Sequence, residues 1–378
     1  MIPASRRDFL RRLSAGLFTG PFVVHNLGLA DEKKREVPWL AEVQQPPPRT
    51  ITLADPGYLE PLLVTEDNQP ITTRLAWEKR RQQLRDRWYD FLGEMPEPNE
   101  PVKLSVLAED RPEGCRRQLV RYESEPGLPV EGYLLRPDPL GDEPRSALVV
   151  LHQTSSDNIQ QVAGVAGPEM QALGLKLARR GFVVFCPRCF LWQDVESLDE
   201  AIRKFRKRHP HTLCMRKMLY DAMRAVDVLL TLPEVDPRRI GATGHSLGGK
   251  KTLYLAAFDD RIRAAVASEG GTGLPFTDWE DERYLGKGIQ AEGFSLNHHQ
   301  LIAMMAPRAY LILAGESGPP APSTDDGDRS WQLIEPALPV YGFYSGTPRV
   351  GLYNHRQGHT LSPKAFERMA EWLGTYLI

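Results

Sequence analysis

Gly244-His245-Ser246-Leu247-Gly248 places a serine between two glycines, each two positions away from it. The stretch Ile240–Thr243 before it reads as a strand, and Leu247–Phe258 after it reads as a helix. A serine on such a sharp turn is held in strained backbone, and its neighbours two positions away must be small. The amide of Leu247, at the start of the helix, is then placed to bind an oxyanion. The pattern predicts that Ser246 is the nucleophile of an acyl transfer.

A serine nucleophile needs a general base, which follows later in the chain when the serine lies on this kind of turn. His355 and His359 both come after the last predicted strand, Arg349–Tyr353. His359 lies between Gly358 and Thr360, in a loop directly before the closing helix. We therefore predict His359 as the base and interpret His355 as a polar residue at the end of the strand.

The acid that orients the base is ambiguous, because three carboxylates are candidates. The usual position, three residues beyond Gly315, is occupied by Gly318, but the same loop carries Asp326 and Asp328 before Trp331. Glu269 is the alternative, since it directly follows an apolar strand and precedes two glycines. Whichever residue acts would orient the imidazole and stabilise its cation.

The second oxyanion donor should follow an earlier strand, Leu148–Leu151, which runs into His152-Gln153-Thr154. We predict a backbone amide at Gln153 or Thr154 as this donor. His152 itself is interpreted as capping the end of the strand through hydrogen bonds.

Short apolar strands alternate with helices from Ala147 to the closing helix at Pro363–Tyr376, which predicts a mostly parallel sheet covered on both faces. Before them, apolar residues recur at helical spacing from Thr72 to Leu92, and Gly93 should end that helix. Three strand-like runs follow, which we predict to be antiparallel. They are Val102–Leu107, Arg117–Tyr122 and Val130–Leu135. The fold class is α/β with an N-terminal helical and antiparallel extension.

The first thirty residues differ from the rest, because Arg6-Arg7 precedes a modestly apolar stretch from Leu13 to Ala30. This pattern is typical of a twin-arginine export signal, and the stretch is too interrupted for a stable membrane span. We expect a signal over residues 1–30, a Pro-rich tether or surface strap and a helix over 31–100, and the hydrolase domain over 101–378. The expected location is periplasmic or secreted, with the twin-arginine translocase as an export partner.

The formal net charge of −2 gives no general attraction to nucleic acid. Cys186 and Cys189 have CxxC spacing, but no second such pair or zinc-spaced histidine accompanies them, so redox or metal chemistry is disfavoured. Two other features lie near the predicted site. The basic run at residues 203–208 would contact an acidic sugar or form a solvated helix face, which we favour. The insertion at about 270–298, with Trp279, Tyr284 and Phe294, would be a lid, a wall for stacking sugars or ordinary packing.

The stretch from Val130 to Ile378 resembles the α/β-hydrolase superfamily, and within it bacterial carbohydrate esterases of the acetyl xylan and glucuronoyl esterase type. The resemblance rests on Gly244–Lys250, Glu269 and Gly358-His359. It implies a substrate-binding role for Lys250 and an acid role for Glu269. Glucuronoyl esterases have an arginine directly after the serine, where this chain has Leu247, and that departure leaves the acyl group open.

These observations predict a serine esterase that cleaves acyl or uronoyl esters of carbohydrates and requires no cofactor. One alternative is a peptidase of the prolyl-oligopeptidase type, although roughly a hundred N-terminal residues cannot build the propeller usual in such enzymes. The other is a non-catalytic binding protein on a hydrolase scaffold, which the unresolved acid keeps open.

Overall fold

The computed structural model of this protein describes residues 35–49, 53, 55–98, 101–316 and 326–378. The predicted export signal therefore lies outside the described residues. Within them, Glu36–Ile378 forms one compact unit. No helix of this described part is both long and apolar enough to cross a membrane.

Nine strands in the described part of the chain form one sheet, in the order β1-β2-β3-β5-β4-β6-β7-β8-β9. The strands are β1 Ser105–Asp110, β2 Cys115–Glu125, β3 Leu128–Pro137, β4 Arg145–Leu151, β5 Val183–Pro187, β6 Val235–His245, β7 Ile262–Ser268, β8 Ala309–Ala314 and β9 Val350–Asn354. The first three pair antiparallel, and β3 also pairs antiparallel with β5. From β5 to β9 every pair is parallel. The predicted antiparallel opening and parallel main sheet are both confirmed.

Helices cover both faces of this sheet. They are α1 Leu40–Val43, α2 Arg74–Leu92, α3 Asn158–Val162, α4 Leu173–Ala178, α5 Leu198–Arg208, α6 Cys214–Leu230, α7 Leu247–Phe258, α8 His298–Met304, α9 Trp331–Ile334, α10 Leu338–Tyr341 and α11 Pro363–Tyr376. One apolar core lies under α2, α6, α7 and α8, and a second lies under α1, α4 and α11. Burial on both faces explains why the parallel strands are almost continuously apolar.

Strand order reverses at β4, whose neighbours are β5 on one side and β6 on the other. The chain leaves β4 for β5 and then crosses over to β6. In open α/β sheets, ligands bind outside the carboxyl ends of the strands at such a switch point. The residues that follow β4 and β6 are therefore expected to line a site, and Gln153 and Ser246 are among them.

The N-terminal segment packs against this sheet as a strap. Trp39 contacts the rings of Trp372 and Tyr353, and the backbone of Val43 lies against Gly351 of β9. The helix predicted over 72–92 is α2, which begins after the N-cap Thr73 and ends at the C-cap Gly93. Its buried face carries Trp77, Leu84, Trp88 and Leu92.

Candidate active site

Ser246 occupies the turn between β6 and α7, with φ 56° and ψ −121°. A left-handed conformation in a residue other than glycine costs about 1–3 kcal/mol and persists only where the surroundings impose it. Here the amide of Ser246 donates to the carbonyl of Ser268, at 2.8 Å, which ties the turn to β7. Ser246 remains partly exposed, as the predicted role of nucleophile requires.

The two glycines of the motif are required by the neighbouring strand. A Cβ on Gly244 would lie 2.5 Å from the carbonyl oxygen of Leu151, and one on Gly248 would lie 2.0 Å from the same oxygen. Leu151 is the last residue of β4 and pairs with Gly244. The first turn of α7 thus lies directly against the end of β4. This contact brings the Leu247 and Gln153 backbones to the same edge of the sheet.

His152 caps the end of β4, as predicted. Its Nε2 accepts the amide of Cys189 at 3.0 Å, and its Nδ1 lies 2.8 Å from the carbonyl of Gln153. Burial lowers the pKa of His152 well below its ordinary value, so the ring is neutral. It positions the loop that carries Gln153.

His359 lies in the loop between β9 and α11 and is exposed. Its ring centroid is 4.8 Å from that of His245, the residue directly before Ser246. His245 in turn contacts the Oγ of Ser268 through Nδ1, at 3.0 Å. Burial lowers the pKa of His245 to about 3, so this ring packs as a neutral group beside His359. The structure thus brings His359 to the turn that carries Ser246.

Glu269 follows β7 and is buried, with a positive φ of 50°. Its Oε1 lies 3.3 Å from Nε2 of His355. A Cβ added to Gly315 would lie 2.5 Å from that same oxygen and 2.0 Å from the carbonyl of Gly358. The carboxylate of Glu269 is therefore placed beside the loop that carries His359.

The other two candidate acids have different partners. Asp326 accepts the amides of Gly271 and Thr272, at 2.8 and 2.6 Å. Asp328 accepts Nδ2 of Asn354 at 3.0 Å and pairs with Arg356 at 2.8 Å. These contacts direct both aspartates toward backbone and surface groups, whereas Glu269 faces the histidine loop.

His355 is more deeply placed than a simple strand-end residue, because 2% of its side chain is exposed. Its Nδ1 accepts the amide of Gln357 at 3.2 Å. Burial lowers the pKa of His355 below its ordinary value. No local pattern in the sequence indicates this contact between His355 and Glu269, because the two residues follow different strands, β9 and β7.

Lys250, on α7, is buried beneath the insertion. Its ammonium lies 3.0 Å from Oγ1 of Thr277, 3.2 Å from Asp278 and 4.1 Å from the ring centroid of Trp279. Burial lowers the pKa of Lys250, and Asp278 partly offsets that effect. Trp279 is fully buried and donates Nε1–H to the carbonyl of Gly271 at 2.7 Å. The suggestion that Trp279 offers a face to a sugar is therefore wrong, because the ring belongs to the core.

The basic run lies on α5, and three of its side chains are paired. Lys204 pairs with Glu200, Arg206 with Glu282 of the insertion, and Arg208 with Glu125. These pairs agree with the favoured interpretation of a solvated, ion-paired face.

All four cysteines are buried free thiols, and burial raises the pKa of Cys186 well above its ordinary value.

Comparison with known proteins finds similarity to hydrolases and esterases. Residues 131–289 match the model of the dienelactone hydrolase family. The chain is 32% identical over 109 residues to "Putative hydrolase YtaP" of Bacillus subtilis, covering 26% of this chain and 34% of that protein. It is 30% identical over 124 residues to the 4-O-methyl-glucuronoyl methylesterase of Cerrena unicolor, covering 26% of each. The chain thus spans about a third or less of the length of these curated relatives.

The fold comparison extends further along the chain. The glucuronoyl esterase from Solibacter usitatus superposes with a TM-score of 0.68 at 17% identity, covering 86% of this chain and 99% of that one. The protein has the α/β-hydrolase fold, and its resemblance to carbohydrate esterases is confirmed.

Proposed function

We propose that this protein is a serine hydrolase of carboxylic esters that acts through Ser246, His359 and Glu269. The observation that carries the proposal is the strained turn at Ser246, whose neighbour His245 lies 4.8 Å, ring to ring, from His359. Ser246 is partly exposed and His359 is exposed, and each follows a strand of the parallel sheet, β6 and β9. That arrangement is suited to nucleophilic catalysis by an activated hydroxyl.

The reaction proceeds in two acyl transfers. Ser246 attacks the ester carbonyl while its hydroxyl proton passes to His359, and the tetrahedral oxyanion accepts hydrogen bonds from the Leu247 and Gln153 amides. Collapse breaks the bond to the alcohol, which leaves with the proton from His359. Water then attacks the acyl-enzyme, gives its proton to His359 and releases the acid as Ser246 is regenerated.

Glu269 is the acid we propose, in place of Asp326 or Asp328. Its carboxylate is buried beside the Gly358 backbone, one residue before His359. A buried carboxylate stabilises a neighbouring imidazolium more strongly than one in water does. The hydrogen bonds that Asp326 and Asp328 already make favour other roles for them.

The proposed substrates are acyl or uronoyl esters of carbohydrates. The support is the similarity to a relative named as a glucuronoyl methylesterase. Lys250 and Glu269 add to it through the resemblance of the sequence to glucuronoyl esterases. Leu247 directly follows the serine and is buried, so that position supplies an amide but no cation to the oxyanion. Substrate contact by Lys250 would compete with its hydrogen bond to Thr277.

Export by the twin-arginine route is the remaining part of the proposal. It rests on Arg6-Arg7 and the apolar stretch that follows. Replacing both arginines by lysine should move the full chain from the periplasmic to the cytoplasmic fraction of a bacterial host. Unchanged periplasmic recovery would contradict this route.

The catalytic proposal is tested by labelling purified protein with a fluorophosphonate and locating the label by peptide mass spectrometry. We expect the label on Ser246 and its loss in Ser246→Ala. The matched control is Ser345→Ala, which alters an exposed turn. Hydrolysis of acetylated sugars and of methyl glucuronate is then compared for the same three proteins. Folded wild type that neither labels nor hydrolyses any of these esters would refute the proposal and favour a binding protein.

A further inference from the structure

The turn that follows β7 is held in an unusual conformation. Glu269 has φ 50° and Gly271 has φ 68°, so two of three successive residues are left-handed. Gly270 between them packs on α7, where a Cβ would lie 2.8 Å from the carbonyl carbon of Gly249. For Glu269 this conformation costs about 1–3 kcal/mol, so it must be imposed by contacts elsewhere.

Asp326 supplies those contacts. It is 1% exposed, and its two carboxylate oxygens accept the amides of Gly271 and Thr272 at 2.8 and 2.6 Å. The hydroxyl of Ser330 donates to the same carboxylate at 2.8 Å. Hydrogen bonds from amides to a charged acceptor are among the stronger ones in proteins. Without this acceptor, two buried amides would have no hydrogen-bond partner, and each would cost about 1–3 kcal/mol of folding free energy.

The backbone of Asp326 also holds the segment that follows β8. Its carbonyl accepts the amides of Gly315 and Glu316, each at 3.2 Å. Oε1 of Glu269 lies against Gly315. The carbonyl of Gly315 accepts the amide of Gly358 at 2.6 Å. Asp326 therefore joins the turn that carries Glu269 to the loop that carries His359.

We propose that Asp326 is a positioning residue, which fixes the Glu269 carboxylate against the histidine loop by binding the Gly271 and Thr272 amides. This inference rests on the proposed function, because it assigns Glu269 as the acid of the triad. It gives Asp326 a role through Glu269, distinct from direct contact with the base.

A double-mutant cycle between Asp326→Asn and Glu269→Gln tests this role. An asparagine presents one acceptor and one NH₂ group where two amides need acceptors. We expect kcat to fall about 100-fold, as for a misplacement of roughly 1 Å, with KM little changed. In the Glu269→Gln background, adding Asp326→Asn should cause no further loss, because the residue through which Asp326 acts is already disabled.

The matched control is Asp236→Asn. Asp236 lies at the start of β6, at the opposite end of that strand from Ser246. Asp236 also accepts a backbone amide, that of Arg238, at 2.9 Å. This variant should lower the melting temperature while leaving kcat unchanged. If Asp326→Asn does not fold, Ser330→Ala provides a milder variant, which removes one hydrogen bond to Asp326 and should give a smaller fall in kcat with the same lack of additivity.

Three outcomes would overturn the inference. Independent, multiplicative losses from Asp326→Asn and Glu269→Gln, or a lower melting temperature without a fall in kcat, would mean that Asp326 only stabilises the fold. A larger loss from Asp326→Asn than from Glu269→Gln would make Asp326 itself the acid. Failure of the proposed function is separate, since wild type would then show neither labelling nor turnover.

Discussion

Replacing Gly248 by alanine would place a methyl group where the end of β4 leaves no space. The new Cβ would lie 2.0 Å from the carbonyl oxygen of Leu151, 2.9 Å from its carbonyl carbon and 3.3 Å from the carbonyl oxygen of His152. All three are backbone atoms, so no side-chain rotation relieves the clash. To regain the 3.0 Å separation below which Cβ contacts are essentially never found, α7 or the end of β4 must move by about 1 Å.

This displacement would fall on the proposed oxyanion site, because the Leu247 and Gln153 amides lie on the two elements that separate. Misplacement by about 1 Å costs on the order of 100-fold in rate, which corresponds to about 2.7 kcal/mol of transition-state stabilisation. Overpacking should also lower the free energy of unfolding by about 1–3 kcal/mol. We therefore expect Gly248→Ala to fold, to bind substrate and to turn it over about 100 times more slowly.

Gly374→Ala is the matched control. Gly374 lies within α11, and a Cβ there would meet nothing within 4 Å. Removing a glycine from a helix interior should stabilise the protein by about 0.5–1 kcal/mol without changing its activity.

The assay measures kcat and KM on p-nitrophenyl acetate well below the melting temperature, together with the rate of fluorophosphonate labelling. Both reactions need the same oxyanion donors, so both rates should fall together. A stably folded Gly248→Ala variant that keeps its kcat within threefold of wild type would refute the argument that the contact between Gly248 and Leu151 sets the oxyanion geometry.

Three further expectations follow from buried and exposed charges. Lys250→Met removes the ammonium from Trp279 and Thr277, so urea titration should show a loss of about 1–2 kcal/mol in the free energy of unfolding; a higher KM for sugar esters at unchanged stability would instead indicate a substrate contact. Replacing Arg203 and Lys207 together by glutamine should leave KM unchanged for acidic and neutral esters alike, because the ion pairs of α5 persist; a rise in KM for acidic esters alone would contradict the solvated-face interpretation. Stability should fall as the pH drops below about 6.5, because burial lowers the pKa of several histidines and only the unfolded chain takes up their protons. These histidines are His152, His245, His298, His299 and His355. For His298, whose pKa is lowered to about 3, the loss is about 1.4 kcal/mol per pH unit. Equal free energies of unfolding at pH 7.5 and pH 5 would contradict this.

Local patterns in the sequence predict the elements well where the physics is local. The N-cap Thr73 and the C-cap Gly93 delimit α2 because both satisfy groups within one turn of the helix. From the sequence alone, Glu169–Arg180 is also predicted to be one helix. The structure instead has a 3₁₀ turn at Glu169–Gln171 and begins α4 only at Leu173. Ala172 separates them with ψ 52°, and Gly174 packs so closely that a Cβ would lie 2.6 Å from Sγ of Cys186. Packing on β5 thus overrides the helical period.

The sequence by itself determines the serine turn and the class of fold. Strand, glycine–serine–glycine turn and helix are contiguous in the chain, so the strain at Ser246 and the small neighbours it requires are visible in one short stretch. The same holds for the order of serine before histidine and for the parallel sheet, which follows from repeated apolar strands separated by helices.

Tertiary structure alone decided how the candidate carboxylates are arranged. Glu269, Asp326 and Asp328 are equivalent in type and all follow strands, so the sequence left them open as candidates. Their surroundings depend on contacts across more than fifty residues, such as that between Asp326 and the Gly271 amide. Trp279 is a similar case, because the sequence allows it either to stack against a sugar or to pack in the core, and only its burial distinguishes the two. Non-local hydrogen bonds and burial compete to determine which groups a long loop contacts. A short stretch of sequence does not predict the result of that competition.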